Sequence, residues 1–520
     1  MAQTTPLPTL ETTDRDDPKV VAEQRADDYS THVVPFSARV GRWQLTMSFW
    51  SLLSAMVWLF YGALVASLYG TTNALIAIVL SVIVYSIVNA LFASWGLRSG
   101  LNSTLLSRRM FGVVGASLTA LLIAANTTYY AVFESSTLAV AFQTYFEAGD
   151  IKIWYLVVVV AMLPLMLGSV QTWMAKLNAI LLPLYAVGIV AAVIVAAVKY
   201  DNNDWWSFPG IVPDVARSYP GWVLGFVLYM GIWLLMPSTV DFARFAKKED
   251  ETFHNVVTFG PVFYTWLFLA NGLAGIFLVR AVLPDEPAAE IGVVRAVLAT
   301  LGFVGLVIIV ASQARINSVN YYLASANWER LVTGLTGLRI PRLVWVVIVS
   351  AAVYLLMLTD VFSYLQTALN WQGVLLVGWV AVVLTHFIIV PEDRRKGAEF
   401  RARRLPKVTW GLLAWLIASA IGIYLIEVDS APAKLAGISQ IVVFVVAAGL
   451  YAACTKLLPS PLRDRGTDVR HEVDDPWGKR VRCHACSHSY VAQEMDRDAR
   501  AGNAPICDAC ATSGKALASK

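Results

Sequence analysis

Two groups of residues in this 520-residue chain have types and spacings suited to chemistry. The first lies near the C-terminus, where Cys483-x2-Cys486 and Cys507-x2-Cys510 form two knuckles separated by twenty residues. Each knuckle can turn two sulfurs toward one ion, and four thiolates complete the tetrahedral shell that zinc favours. Four cysteines fill that shell, so the expected zinc is structural, with no open position for catalysis; His484 and His488 are substitute ligands nearby. The alternatives are four unconnected thiols or two disulfides, and disulfides are disfavoured in a reducing cytosol.

The second group sits inside long apolar runs, where ionisable side chains are expensive and mark substrate or ion paths. Glu134 and Arg315 stand out there, with Asn126, Tyr129 and Tyr130 beside the first and Ser312, Gln313, Asn317 and Asn320 around the second. Tyr130 and Glu134 are four residues apart, hence on one helix face a turn from each other. An aromatic plane beside a carboxylate can hold a flat heterocycle, stacking on the ring while the carboxylate accepts its N–H groups. The competing reading makes Tyr130 a packing aromatic and pairs Glu134 with Arg315. Further polar or small residues in apolar runs are Ser51 and Ser54, Gly231 and Trp233, and Gln366, Asn370 and Gln372.

The elements that must position these groups follow from composition. Hydrophobic residues make up 57% of the chain and charged ones 15%, with a mean hydropathy of +0.61. Too few charges remain to cover soluble domains of this length. Apolar runs of bilayer length fall near 44–68, 72–96, 111–137, 153–172, 177–198 and 219–241, then near 254–280, 293–316, 343–358, 362–390, 408–426 and 435–455. They lack the alternation of barrel strands, so the expectation is an all-α polytopic membrane protein with twelve transmembrane helices over residues 44–455. Lys and Arg concentrate in loops on the side of the N-terminus, above all Arg394, Arg395, Lys396, Arg401, Arg403, Arg404 and Lys407 after the tenth span. That bias puts both termini in the cytoplasm and the bundle in the plasma membrane. Residues 1–43 read as a disordered tail, and 456–520 as a separate cytoplasmic unit built on the zinc module, a candidate dock for a protein partner. No GxxxxGK[ST] loop occurs, which points to secondary transport rather than an ATP-driven or other enzyme.

With these residues in place, the membrane part resembles the nucleobase–cation symporter family of purine and cytosine permeases. The markers are Gly96-Leu-Arg-Ser-Gly-Leu101, Leu106-Ser-Arg-Arg-Met-Phe-Gly112, Asp241-Phe-Ala-Arg-Phe245 and Ser312-Gln-Ala-Arg-Ile-Asn-Ser-Val-Asn320, in order over roughly residues 30–455. The resemblance implies two inverted five-helix repeats plus two further helices, with substrate midway across the membrane beside broken first and sixth helices. It implies a stacking role for Tyr130 and substrate contacts for Glu134 and Asn320; Gln313, among the polar residues around Arg315, is a further candidate contact. It also implies that Ala55 faces substrate from the first helix, and that Gly231 and Ile232 mark the break of the sixth beside Trp233. At the ion site the chain departs from the family's pattern. Sodium-coupled members carry two adjacent hydroxyl residues where this chain has Arg315 and Ile316, although Ser51 and Ser54 still offer oxygens.

The resulting expectation is an importer of a nucleobase or related nitrogen heterocycle, working by alternating access without sodium, either proton-coupled through Glu134 or facilitated. The alternatives are a carrier of hydantoin, allantoin, a vitamin pyrimidine or an amine on the same fold, or a membrane sensor signalling through its zinc module. The expected partners are a small heterocycle and the lipid bilayer; nucleic acid is not among them.

Overall fold

The computed structural model describes residues 7–26, 28–166, 175–201, 205–284, 290–338, 340–359, 365–463 and 467–512. Among these, seven helices are long and apolar enough to cross a bilayer, or nine when each of two bent pairs counts as one span. The bent pairs are the first span, Arg42–Ser54 with Met56–Tyr69 at 46°, and the sixth, Gly221–Met230 with Leu235–Ala243 at 43°. They are five spans apart, as inverted repeats require. At the first break Trp50–Ser54 tightens and Ala55 turns extended, at φ −60° and ψ 135°. At the second, Gly231 to Leu234 separate the two half-helices.

Three expected spans fall on helices that are shorter or more polar. The third is Ser117–Phe146, displaced from the expected 111–137, and the fourth and ninth are Ile151–Met166 and Arg342–Met357. Part of the expected fourth span, 167–172, lies outside the described residues. The eighth is a correction. The apolar run near 293–316 is two helices, Glu290–Leu301 and Phe303–Thr336, divided at Gly302 with φ +55°. A left-handed glycine ends the short helix, and the long one continues twenty residues beyond the expected end. Its second half carries Asn317, Asn320, Glu329 and Arg330, all buried, which is why hydropathy missed it. The third and eighth spans pack along each other more extensively than any other pair.

The N-terminal tail departs from the expectation of disorder. Strand β1 (Thr12–Thr13) and helix Pro18–Ala26 pack onto the C-terminal unit. That unit holds β2 (Arg480–Arg482), β3 (Ser489–Val491), β4 (Met495–Asp498) and β5 (Ala504–Cys507). One antiparallel sheet has the order β1-β2-β3, with Thr12 opposite Val481 and Val481 opposite Tyr490; β4 and β5 form another. Leu10 and Val20 from the tail join Val481, Tyr490, Met495 and Ile506 in one apolar core. The two tails therefore lie on the same side of the membrane domain.

Candidate functional site

Both breaks open on one small cavity. Leu52, Ala55, Val57 and Trp58 from the first span face Thr127, Tyr130 and Glu134 from the third, Ile232, Leu234, Leu235 and Ser238 from the sixth, and Ile316, Asn320 and Leu323 from the eighth. The cavity volume is about 30 Å³, far below the roughly 300 Å³ or more of a small-molecule pocket, so these helices are drawn together around the site. A broken helix exposes backbone groups where a continuous one would hide them, which suits a polar ligand at mid-membrane.

Of the sequence-derived substrate residues, Ala55, Tyr130, Glu134, Ile232 and Asn320 line this cavity together. Gly231, Trp233 and Gln313 are not among its lining residues. Gly231 turns its carbonyl to Gln372 Nε2 at 3.1 Å, and Trp233 packs edge-on to Tyr85 and Phe444. Gln313 is fully buried, and its amide has no hydrogen-bond partner among the described residues. The spacing of Gln313 to Asn317 and Asn320 puts it on their face, but two turns above Asn320, beyond the cavity wall.

Sequence reasoning missed Trp58, Ser238 and the role of Gln372. Trp58 Nε1 donates to Leu52 O at 2.6 Å across the first break, so its ring is fixed at the cavity edge. Gln372 Nε2 also donates to the Tyr130 hydroxyl at 2.7 Å, tying the tenth span to the third and the sixth at once. Its position as a buried amide in an apolar run was the available signal; its partners were not. The side chain of Gln366 lies outside the described residues.

The expected ion site holds a different chemistry. Arg315 is buried and its Nη2 donates to Trp50 O at 2.7 Å. Ser312 Oγ donates to Ser54 O at 2.5 Å and Asn271 Nδ2 to Leu53 O at 2.9 Å. Ser51 and Ser54 turn their hydroxyls back onto Ser48 O and Ser51 O, at 2.6 and 3.5 Å. The carbonyls freed by the first break are thus taken by side-chain donors, one of them a cation.

In the C-terminal unit the sulfurs of Cys483, Cys486, Cys507 and Cys510 lie within 4.8 Å of one another. Ligands about 2.3 Å from a tetrahedral ion are roughly 3.8 Å apart, so the four fit one metal. Backbone N–H groups of Cys507 and Cys510 point at Cys483 Sγ and Cys507 Sγ, both at 3.4 Å, favouring thiolates. His484 and His488 are engaged elsewhere, with Asp498 and Asp17.

Two bent spans, the first and the sixth, meeting at one central cavity define the class of fold, a helical bundle of the five-plus-five inverted-repeat type. Among solved structures, the chain matches Mhp1, a nucleobase-cation-symport-1 family transporter, closed with bromovinylhydantoin bound, at a TM-score of 0.60 and 14% identity over 82% of this chain and 94% of that one. The inward-facing conformation of Mhp1 matches at 0.64 and 15%, over 84% and 97%. A Na+-coupled sialic acid symporter in a substrate-bound outward-open state matches at 0.58 and 10%, over 85% and 93%. At these identities the likeness establishes the fold. No family model and no curated protein matches the sequence.

Proposed function

We propose that the chain is a plasma-membrane carrier importing a nucleobase or related nitrogen heterocycle by alternating access, with both tails in the cytoplasm and one zinc ion on the four cysteines. The observation that carries this reading is the shared cavity at the two helix breaks, with Tyr130 on its wall to stack a ring and Glu134 and Asn320 to match its hydrogen-bond pattern. Screening purines, pyrimidines and hydantoins by thermal shift, then measuring uptake of any stabilising compound into proteoliposomes, tests it. A ligand that binds without accumulating would make the chain a sensor rather than a carrier. Hydantoins belong in the screen because a structure of the same fold holds bromovinylhydantoin.

Transport in this reading does not use sodium. The guanidinium of Arg315 on Trp50 O is a permanent cation among the carbonyls that a hard cation would need, and it repels a second one. Coupling then runs through a proton on Glu134, or the carrier is facilitated. Uptake should be unchanged when choline replaces sodium, and any dependence on external pH should vanish in Glu134→Gln. A steep sodium dependence would defeat this part of the reading.

A further inference from the structure

The N-terminal segment does more than cover the C-terminal unit: it also crosses between the sixth and eighth spans. Asp28 and Tyr29 are buried, and both adopt left-handed backbone, with φ of +54°. Two such residues in succession persist only where their surroundings over-determine them. Arg244, just past the sixth span, supplies that constraint, with Nη1 donating to Tyr29 O and Nη2 to Asp28 O, both at 2.8 Å. The Asp28 carboxylate accepts from the hydroxyl of Tyr322 on the eighth span. Tyr322 is two residues beyond Asn320, and Arg244 six beyond Ser238, so these bonds lie within about two turns of the cavity wall. Asp28 therefore joins the sixth span to the eighth. Asp241 does the same, accepting from Arg330 Nη1 at 2.9 Å and from Ser103 N at 2.8 Å.

The strap then runs across the second span. Val34 N donates to Gly100 O at 2.9 Å, and Asn102 Nδ2 to Ser30 O at 2.7 Å. A Cβ at Gly100 would stand 2.9 Å from Val34 O, so the approach requires glycine there. From the other side, the cysteine unit grips the strap. Glu494, whose side chain is fully buried, accepts from Val33 N at 3.2 Å and holds His32 Nδ1 at 3.1 Å. The His32 ring stacks on Tyr490 at 5.0 Å, and the Tyr490 hydroxyl lies 3.7 Å from Cys486 Sγ. A line of contacts and strap backbone thus joins the cysteine cluster to Tyr322, which lies between the cavity-lining Asn320 and Leu323 on the eighth span.

We propose that the metal-loaded cysteine unit is a brake on transport: it holds the strap of residues 28–34 across the sixth and eighth spans and keeps the tail-side path shut. Opening on that side requires these spans to part, and they cannot part while Asp28 bridges them. The ion it responds to is a thiolate-loving divalent cation of the zinc class. Without the ion, a unit this small with so little core loses its shape, and the grip on His32 goes with it. The brake rests on reading the chain as a carrier, but its test need not.

Hydrogen exchange on the full-length protein, zinc-loaded or stripped with a zinc chelator, reads the strap directly and needs no substrate. Removing zinc should raise exchange roughly tenfold or more in peptides covering 28–34, 238–246 and 320–330. His32→Ala should produce the same rise while the protein keeps its zinc, which separates a lost grip from a collapsed unit. The initial uptake rate should rise in both cases. Strap protection that is equal in loaded, stripped and His32→Ala protein would overturn the proposal. So would release of the strap with no change in exchange at 320–330.

Discussion

At the scale of single residues, the cavity reduces to how Tyr130 is held. Its hydroxyl accepts from Gln372, which also binds the carbonyl of Gly231, so the ring orientation is set before any ligand arrives. Tyr130→Ala should weaken heterocycle binding by about 1–3 kcal/mol, the range for losing one stacking aromatic. Tyr130→Phe keeps the ring face and loses only the bond from Gln372, a cost of about 0.5–1.5 kcal/mol. Titration calorimetry on the three proteins checks the order, and equal affinities would take Tyr130 out of the site. Tyr130 and Glu134 were legible because their four-residue spacing sits in an apolar run. Gly231 and Trp233 fall at the break as read, but the sequence does not say which groups there face the cavity: the Gly231 carbonyl goes to Gln372, and the Trp233 ring to Tyr85 and Phe444. A half-turn within a broken helix turns a group toward the cavity or away from it, and no periodicity survives through a break to say which.

At the scale of elements, the first and seventh spans show how the bundle closes without a hydrophobic driving force between helices. A Cβ built at Gly62 would stand 2.5 Å from Gly272 Cα, and one at Gly275 would strike the Leu59 carbonyl. The two backbones touch there, so Gly275→Val should lower stability by about 1–3 kcal/mol or more through overpacking. Gly449→Ala on the twelfth span, where a Cβ meets nothing within 4 Å, is the control and should be neutral or stabilising. Thermal unfolding in detergent compares them; equal shifts would mean the crossing tolerates a side chain. Most spans were readable because lipid demands apolar length. The eighth was misplaced because its inner half faces protein and carries buried polar groups, while a stray apolar helix before Gly302 imitated a span. Hydropathy records what faces lipid, and the helices that build a site face inward.

At the scale of the molecule, arginines of the loops after the second and tenth spans dock carboxylates of the C-terminal unit. Arg108 pairs with Asp508, Arg403 with Asp498, Arg404 with Asp496, and Arg401 with Asp468 and Glu399. None of this was legible locally: β1 pairs with β2 across more than 450 residues, and its two threonines carry no signal of their partner. The cysteine spacing was legible, and it predicts about one zinc per chain by elemental analysis, lost on truncation after Leu458. The dock adds a pH prediction. Burial pushes Glu399 up, but the hydrogen bonds and charge of Arg401, with the charge of Arg470, hold it down at about 2; Asp468, facing the same two arginines, is also lowered. A carboxylate depressed in the folded state stabilises docking fully above its unfolded pKa, about 4.3, and loses that contribution as pH falls through its folded value. Both carboxylates stay ionised at pH 5, so acidification to that point should not release the unit. Paired spin labels on Arg500→Cys and Leu335→Cys, in zinc-loaded protein carrying Cys454→Ser, report the docked distance. That distance should hold from pH 8 to pH 5 and broaden only below about pH 4. In Glu399→Gln a fraction of undocked unit should already be present at pH 7, because Arg401 and Arg470 lose a buried counter-charge. Release near pH 6 in the unsubstituted dock would show that the arginine–carboxylate cluster, whose carboxylates are still ionised there, does not hold the two parts together.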